Sequence, residues 1–173
     1  TTWGDADSGV VTFDGGLFDT GTDIAVDAAN NIYVAGRSAN GVDDDLIVRK
    51  YDANGDLDTT WGDANSAMLT YDSGNPDSAT GIIIDATGNL YVTGQSNSDF
   101  IVRKYDVNGD LTTNWGDADS GMVTYDSGNL DLPNAVTVDA SGNIYVAGWS
   151  NNGTDNDFIV RKYDANGDLD TTW

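Results

Sequence analysis

Residues 134–173 read NAVTVDASGNIYVAGWSNNGTDNDFIVRKYDANGDLDTTW, the cleanest copy of a unit that occurs three times. Its first half returns at Asp27-Ala28-Ala29-Asn30-Asn31-Ile32-Tyr33-Val34-Ala35-Gly36 and at Asp85-Ala86-Thr87-Gly88-Asn89-Leu90-Tyr91-Val92-Thr93-Gly94. IVRKYD begins at Ile47, Ile101 and Ile159, and Trp3, Trp61, Trp115 and Trp173 mark the joints at spacings of 58, 54 and 58. A period of this size predicts a single array, 1–173, of three packed units at about 1–58, 59–112 and 113–173, in which neighbour contacts dominate.

Composition narrows the class. The chain has 29 acidic residues against 7 basic, every acid is Asp, and His and Cys are absent. Asp bonds its own backbone and favours turns, whereas Glu favours helix interiors, so the bias goes with many turns and little helix. A net charge of −22 repels nucleic acid phosphates and anionic lipid, and makes cations the natural counterparts. No run of 18 apolar residues is present to span a membrane as a helix, and no signal peptide is visible.

Short alternating apolar runs bounded by Gly, Asn and Asp are the signature of an all-β array. Four strands per unit are expected, at 122–125, 135–139, 143–148 and 158–163 in the last full unit. Gly142-Asn143 and Gly88-Asn89 mark one hairpin, with Asn30-Asn31 in the first copy; Asn54-Gly55, Asn108-Gly109 and Asn166-Gly167 mark the next turn. Apolar side chains on both faces, as in Ile144, Tyr145 and Val146, suit a sheet sandwiched between two neighbouring sheets. Four such strands make the meander of a propeller blade.

VxVDASGNIYVAG followed by DFIVRKYDANGDL resembles the NHL and SBBP families of β-propeller repeats, and the LDTTWG joint is similar to the delta repeats of bacterial secreted proteins. The resemblance covers essentially the whole chain and implies an extracellular or cell-surface bacterial protein. Three units are fewer than the minimum of about four that closes a ring. The segment 10–13 reads as an outer strand without a unit, and the last unit lacks its outer strand. The expectation is that another copy, or a longer parent chain, completes the array by strand exchange, giving a dimer of six blades or a head-to-tail fibre.

Candidate sites follow from position in the repeat. Asp52, Asn54, Asp56 and Asp58, repeated as Asp164, Asn166, Asp168 and Asp170, place hard oxygens at alternate positions as Ca²⁺ requires. Leu57 and Leu169 stand where such a loop wants Gly, so a type I′ turn with solvated Asp is the competing reading. No cofactor is fixed by this; Ca²⁺ is the candidate ion. Asp5 and Asp7, Asp63 and Asn65, Asp117 and Asp119 follow each Trp-Gly and read as Asx turns, or as further oxygens for that ion.

The pairs Arg49-Lys50, Arg103-Lys104 and Arg161-Lys162 recur in one strand, and Asp27, Asp85 and Asp139 are the expected partners of the arginines in a structural ion pair. Trp149 stands where Arg37 and Gln95 stand in the other copies, in a hairpin loop of variable length. These three are the binding-face candidates, for a protein or glycan ligand. The sequon Asn152-Gly153-Thr154 marks the same loop as exposed. Without His or Cys no nucleophile–base pair assembles, so a non-catalytic interaction module is preferred. A Ca²⁺-stabilised adhesin or filament subunit comes next, and a propeller lyase or glycosidase using paired Asp is a distant third.

Overall fold

In the computed structural model, which describes residues 3–173, the apolar runs become eleven strands in three antiparallel sheets. The first sheet orders β1 (Asp19–Val26), β2 (Ile32–Ala39), β3 (Asp44–Tyr51) and β4 (Met68–Tyr71); the second orders β5 (Asp77–Ile84), β6 (Leu90–Ser96), β7 (Asp99–Tyr105) and β8 (Met122–Tyr125). The third consists of β9 (Asp131–Val138), β10 (Ile144–Asn151) and β11 (Asn156–Tyr163). Each sheet is one blade of a propeller-like array.

The outer strand of each blade is supplied by the next unit in sequence. β4 lies beyond Trp61 yet pairs back onto β3 through Leu46–Tyr71 and Val48–Leu69, and β8 repeats this on β7 through Phe100–Tyr125. The third blade therefore has three strands, as the repeat phase predicts. Residues 10–13, expected as an outer strand, form no ladder with any sheet of the described residues. Thr1 and Thr2 lie outside the described residues.

The strands extend further toward one end than the sequence indicates. β9 begins at Asp131 rather than Ala135, and β10 and β11 reach Asn151 and Asn156, so half of the expected variable loops is sheet. Pro133 hid this. It sits on the edge strand of its blade, where a missing N–H costs no ladder bond, beside the bulge at Ala147/Gly148.

The turns differ from the expected type I′ form. Asn54 is absent from the residues with positive φ, while Gly55 has φ 84 and its N–H donates to Asp52 O at 3.0 Å. The turn is Asp52-Ala53-Asn54-Gly55, and Asp52 sets it: its Oδ1 accepts the N–H groups of Asn54 at 2.8 Å and Asp56 at 2.9 Å. Asp27, Asp85, Asp106, Asp139 and Asp164 build the same turn. A carboxylate one methylene longer would overshoot these N–H groups, which accounts for Asp to the exclusion of Glu.

Alternation puts two apolar faces on every blade. Tyr33, Ala35, Leu46 and Val48 of the first blade pack on Ile82, Leu90, Val92 and Ile101 of the second. The other face of the second blade, with Tyr91, Phe100 and Val102, packs on Ile144, Val146 and Tyr163 of the third. Each such side chain fully buried contributes about 1.5–3 kcal/mol. The joint tryptophans close the seams edge-on: Trp61 lies 5.5 Å from Tyr33 and Trp115 lies 5.9 Å from Tyr91. Trp61 also donates its indole N–H to Val107 O at 3.1 Å in the following blade.

Candidate functional site

The junction between blades is where the polar residues of the repeat converge. Arg103, on β7, is 8 % exposed and has no carboxylate partner. Its guanidinium carbon lies 3.9 Å from the ring centre of Tyr71 on the outer strand of the preceding blade, and its Nε donates to the Tyr105 hydroxyl at 2.8 Å. Arg161 repeats this on Tyr125 at 4.1 Å, and Arg49 stacks on Phe13 at 4.2 Å. The expected ion pair with Asp27, Asp85 and Asp139 is not formed. Those carboxylates hold the hairpin turns and accept from Asn31, Asn89 and Asn143 and from the hydroxyls of Tyr33, Tyr91 and Tyr145. Burial works to raise the Asp85 carboxyl, and hydrogen bonds from the side chains and backbone of Asn89 and Thr87 outweigh it, leaving it below the ordinary value.

In the Arg-Lys pairs it is the lysine that forms ion pairs. Lys50 meets Asp58 and Lys162 meets Asp170, each at 2.8 Å, and the hydrogen bond from its lysine is the main cause holding each carboxyl at about 2. In the middle copy Thr112 replaces the acid, its Oγ1 is buried without a partner, and burial pushes the Lys104 amine down. Thr112→Asp should therefore restore the pair and stabilise the fold by about 0.5–1 kcal/mol, as a partly exposed pair does. The check is chemical denaturation of both chains, with the Lys104 amine titrating higher in the variant.

Most of the proposed metal ligands are engaged in other hydrogen bonds. Asp52 and Asp164 are occupied by their turns and Asp58 and Asp170 by lysine. Asn54 and Asn166 turn their amides onto Asp52 and Asp164, and Asp56 and Asp168 are exposed. Asp5, Asp63 and Asp117 accept the N–H groups of Thr12, Thr70 and Thr124, seven residues away, instead of closing local Asx turns. Among the described residues, the acidic oxygens that do gather, within 4.8 Å, are those of Asp43, Asp45 and Asp72, at the other end of the blade. Sequence reading missed them because the β3–β4 ladder, which sets Asp72 beside Asp45, spans residues that no local pattern connects.

Arg37, Gln95 and Trp149 lie within β2, β6 and β10 rather than in loops. Arg37 is held by Asp44 at 2.8 Å and lies over Phe18 at 5.2 Å. Gln95 stands between Ser78 and Phe100 in its ladder. Trp149, half-buried, lies between Leu132 and Phe158 on the outward face of the third blade. The hairpin tips and the links entering each blade share one end, since Asp131 N donates to Ser98 O and Asn151 N to Leu130 O, each at 2.9 Å.

The positions buried in both internal junctions are exposed on the array's two ends. Leu46 and Phe100 are 0 % exposed, and their counterpart Phe158 is 78 % exposed. Ile82 is 5 % exposed and its counterpart Ile24 is 60 % exposed. On the first blade this end is a groove of about 470 Å³, lined by Ile24, Ile32, Val34, Ile47, Arg49 and Tyr51 together with residues of the segment 3–13.

Sheets stacked face to face, the first two closed by a strand from the following unit, define a β-propeller array. The chain is a β-propeller repeat protein. The model of the β-propeller repeat family SBBP matches residues 72–101 and 123–155, and that of the β-propeller domain of unknown function DUF5122 matches residues 30–60 and 140–172. No curated protein matches the chain.

Proposed function

We propose that this chain is a non-catalytic structural and interaction module, extracellular or at the cell surface, that completes its propeller with a second copy of itself by strand exchange. The observation that carries this reading is the open third blade. β11 has no outer strand beside it, and Phe158 and Val160, whose counterparts in the other blades are buried, face outward. Residues 10–13 carry the outer-strand sequence and have no sheet to pair with. A bare blade edge and face are costly to leave in water, and the partner with matching register and joint is the same chain. Two copies would give a six-bladed ring with two-fold symmetry. The assignment outside the cell rests on the resemblance to repeats of secreted proteins. A non-catalytic role is supported by the engagement of so many carboxylates in turns and lysine pairs.

Light scattering tests the assembly. The intact chain is expected to have the mass of two copies, and Phe158→Asp, which places a charge on the open face without touching an internal junction, should be a folded monomer. An intact chain that stays monomeric at high concentration overturns the reading. Removing residues 1–13 is a weaker probe, because Phe13 also stacks on Arg49 within its own copy.

A further inference from the structure

The two internal junctions carry a group of carboxylates that apolar packing does not require. At the first, Asp45 of β3, Asp72 just past β4 and Asp43 of the hairpin tip bring their oxygens within 4.8 Å, and Asp77, opening β5, faces Asp45 from the second blade. At the second, Asp99 is faced by Asp126, just past β8, and by Asp131, opening β9. Burial first, and the like charges after it, hold the carboxyls of Asp45 and Asp99 above their ordinary value. The Asn40 amide, reaching Asp45 at 3.1 Å, relieves this in part, while Arg37, on the neighbouring strand, is held by Asp44.

The repeat contains this arrangement a third time, divided between the two ends of the array. Asp157 on β11 holds the position of Asp45 and Asp99. Asp14 follows Phe13 as Asp72 follows Tyr71, and Asp19 opens β1 as Asp77 opens β5. We propose that the seam between two copies brings Asp157 of one against Asp14 and Asp19 of the other, so that neutralising these carboxylates with protons strengthens association. This rests on the assembly reading above and adds its regulation.

The groups beside Asp157 in its own copy are Asp155 of the hairpin tip, which shares the Asn152 amide with it, and Ser150, its ladder partner on β10. From the second copy come Asp14, holding the Gly16 N–H at 2.8 Å, and Asp19, holding the Gly15 N–H at 2.7 Å. Asp19 Oδ1 is buried without a donor, whereas Ser73 and Ser127 supply one to its counterparts Asp77 and Asp131. The cations of the seam lie toward the other end of the strands: Lys162 of β11 is paired with Asp170, and Arg49 in the groove of the first blade is stacked on Phe13. A carboxyl whose pKa rises on entering it contributes binding in full below its ordinary value of 3.8, and that contribution is lost as pH climbs through the raised value.

Sedimentation velocity at fixed ionic strength tests this on the intact chain, Asp157→Asn and Phe158→Asp. At pH 7.5 Asp157→Asn should associate about tenfold more tightly than the parent, equivalent to about one pH unit of carboxylate bias. Lowering the pH to about 4.8, above the sequence pI of about 4.1, should tighten the parent about twofold, as a bias of about one pH unit allows, and leave Asp157→Asn nearly unmoved. Phe158→Asp should stay monomeric at both values, which separates specific docking from loss of solubility. A parent that associates equally at both values, with Asp157→Asn unchanged, overturns the acid seam and leaves assembly standing. A parent that associates at neither value overturns assembly itself.

Discussion

Replacing Gly94 with alanine is expected to cost about 3 kcal/mol or more, the top of the range for overpacking a filled interior. Gly94 lies mid-strand in β6, opposite the bulge between Ala79 and Gly81 on β5, and a Cβ there would collide with the carbonyl oxygen of Ser78. The bulge drives that carbonyl under the neighbouring strand, and both colliding atoms are tied to backbone, so neither yields without loss of ladder bonds. Gly36 and Gly148 meet the carbonyls of Thr20 and Leu132 in the same way. Gly128→Ala is the comparison: its φ is 85, but no atom lies within 4 Å, so the cost is the left-handed backbone alone, about 1–2 kcal/mol. Urea unfolding of the two variants should separate them clearly, and equal midpoints would mean the bulge relaxes freely.

Arg103→Met should cost about 2 kcal/mol. The loss combines a desolvated cation–π contact of up to about 2 kcal/mol with a Tyr105 hydroxyl left short of its donor, offset by no longer burying a charge. The decisive comparison is at the ring. Tyr71→Phe should be close to neutral, because Phe13 already fills the same position over Arg49, whereas Tyr71→Leu should approach the loss seen in Arg103→Met. An arginine stabilised by a carboxylate would leave Tyr71→Leu with little effect, so denaturation midpoints for the three variants distinguish the two arrangements.

The partner of the arginine was missed for a reason that applies to repeat proteins generally. Strand alternation reads from local sequence, and it puts one residue of each Arg-Lys pair on each face. What lies opposite comes from the neighbouring blade, and Tyr71 precedes Arg103 across two hairpins and two whole strands. Phe13, Tyr71 and Tyr125 at one repeat position were the available signal, since an aromatic conserved in place within the chain has a fixed partner. The hairpins show the opposite case. Asn-Gly drew attention, but Asp52 and its five counterparts set the turn, and the all-Asp composition already carried that information. Repeat period, blade order and the missing outer strand were fully legible because each depends on spacing alone.

The hairpin between β6 and β7 turns on Asn97 and Ser98 alone, both with positive φ, while those of the outer blades run through four residues, 40–43 and 152–155. In the two-copy ring, heights around the rim would run high, low, high, high, low, high. Such a rim is a saddle with two opposed notches rather than a flat crown. A molecule approaching along the axis would meet only two equivalent orientations half a turn apart, so a six-bladed body would present itself to the outside world as a two-sided one.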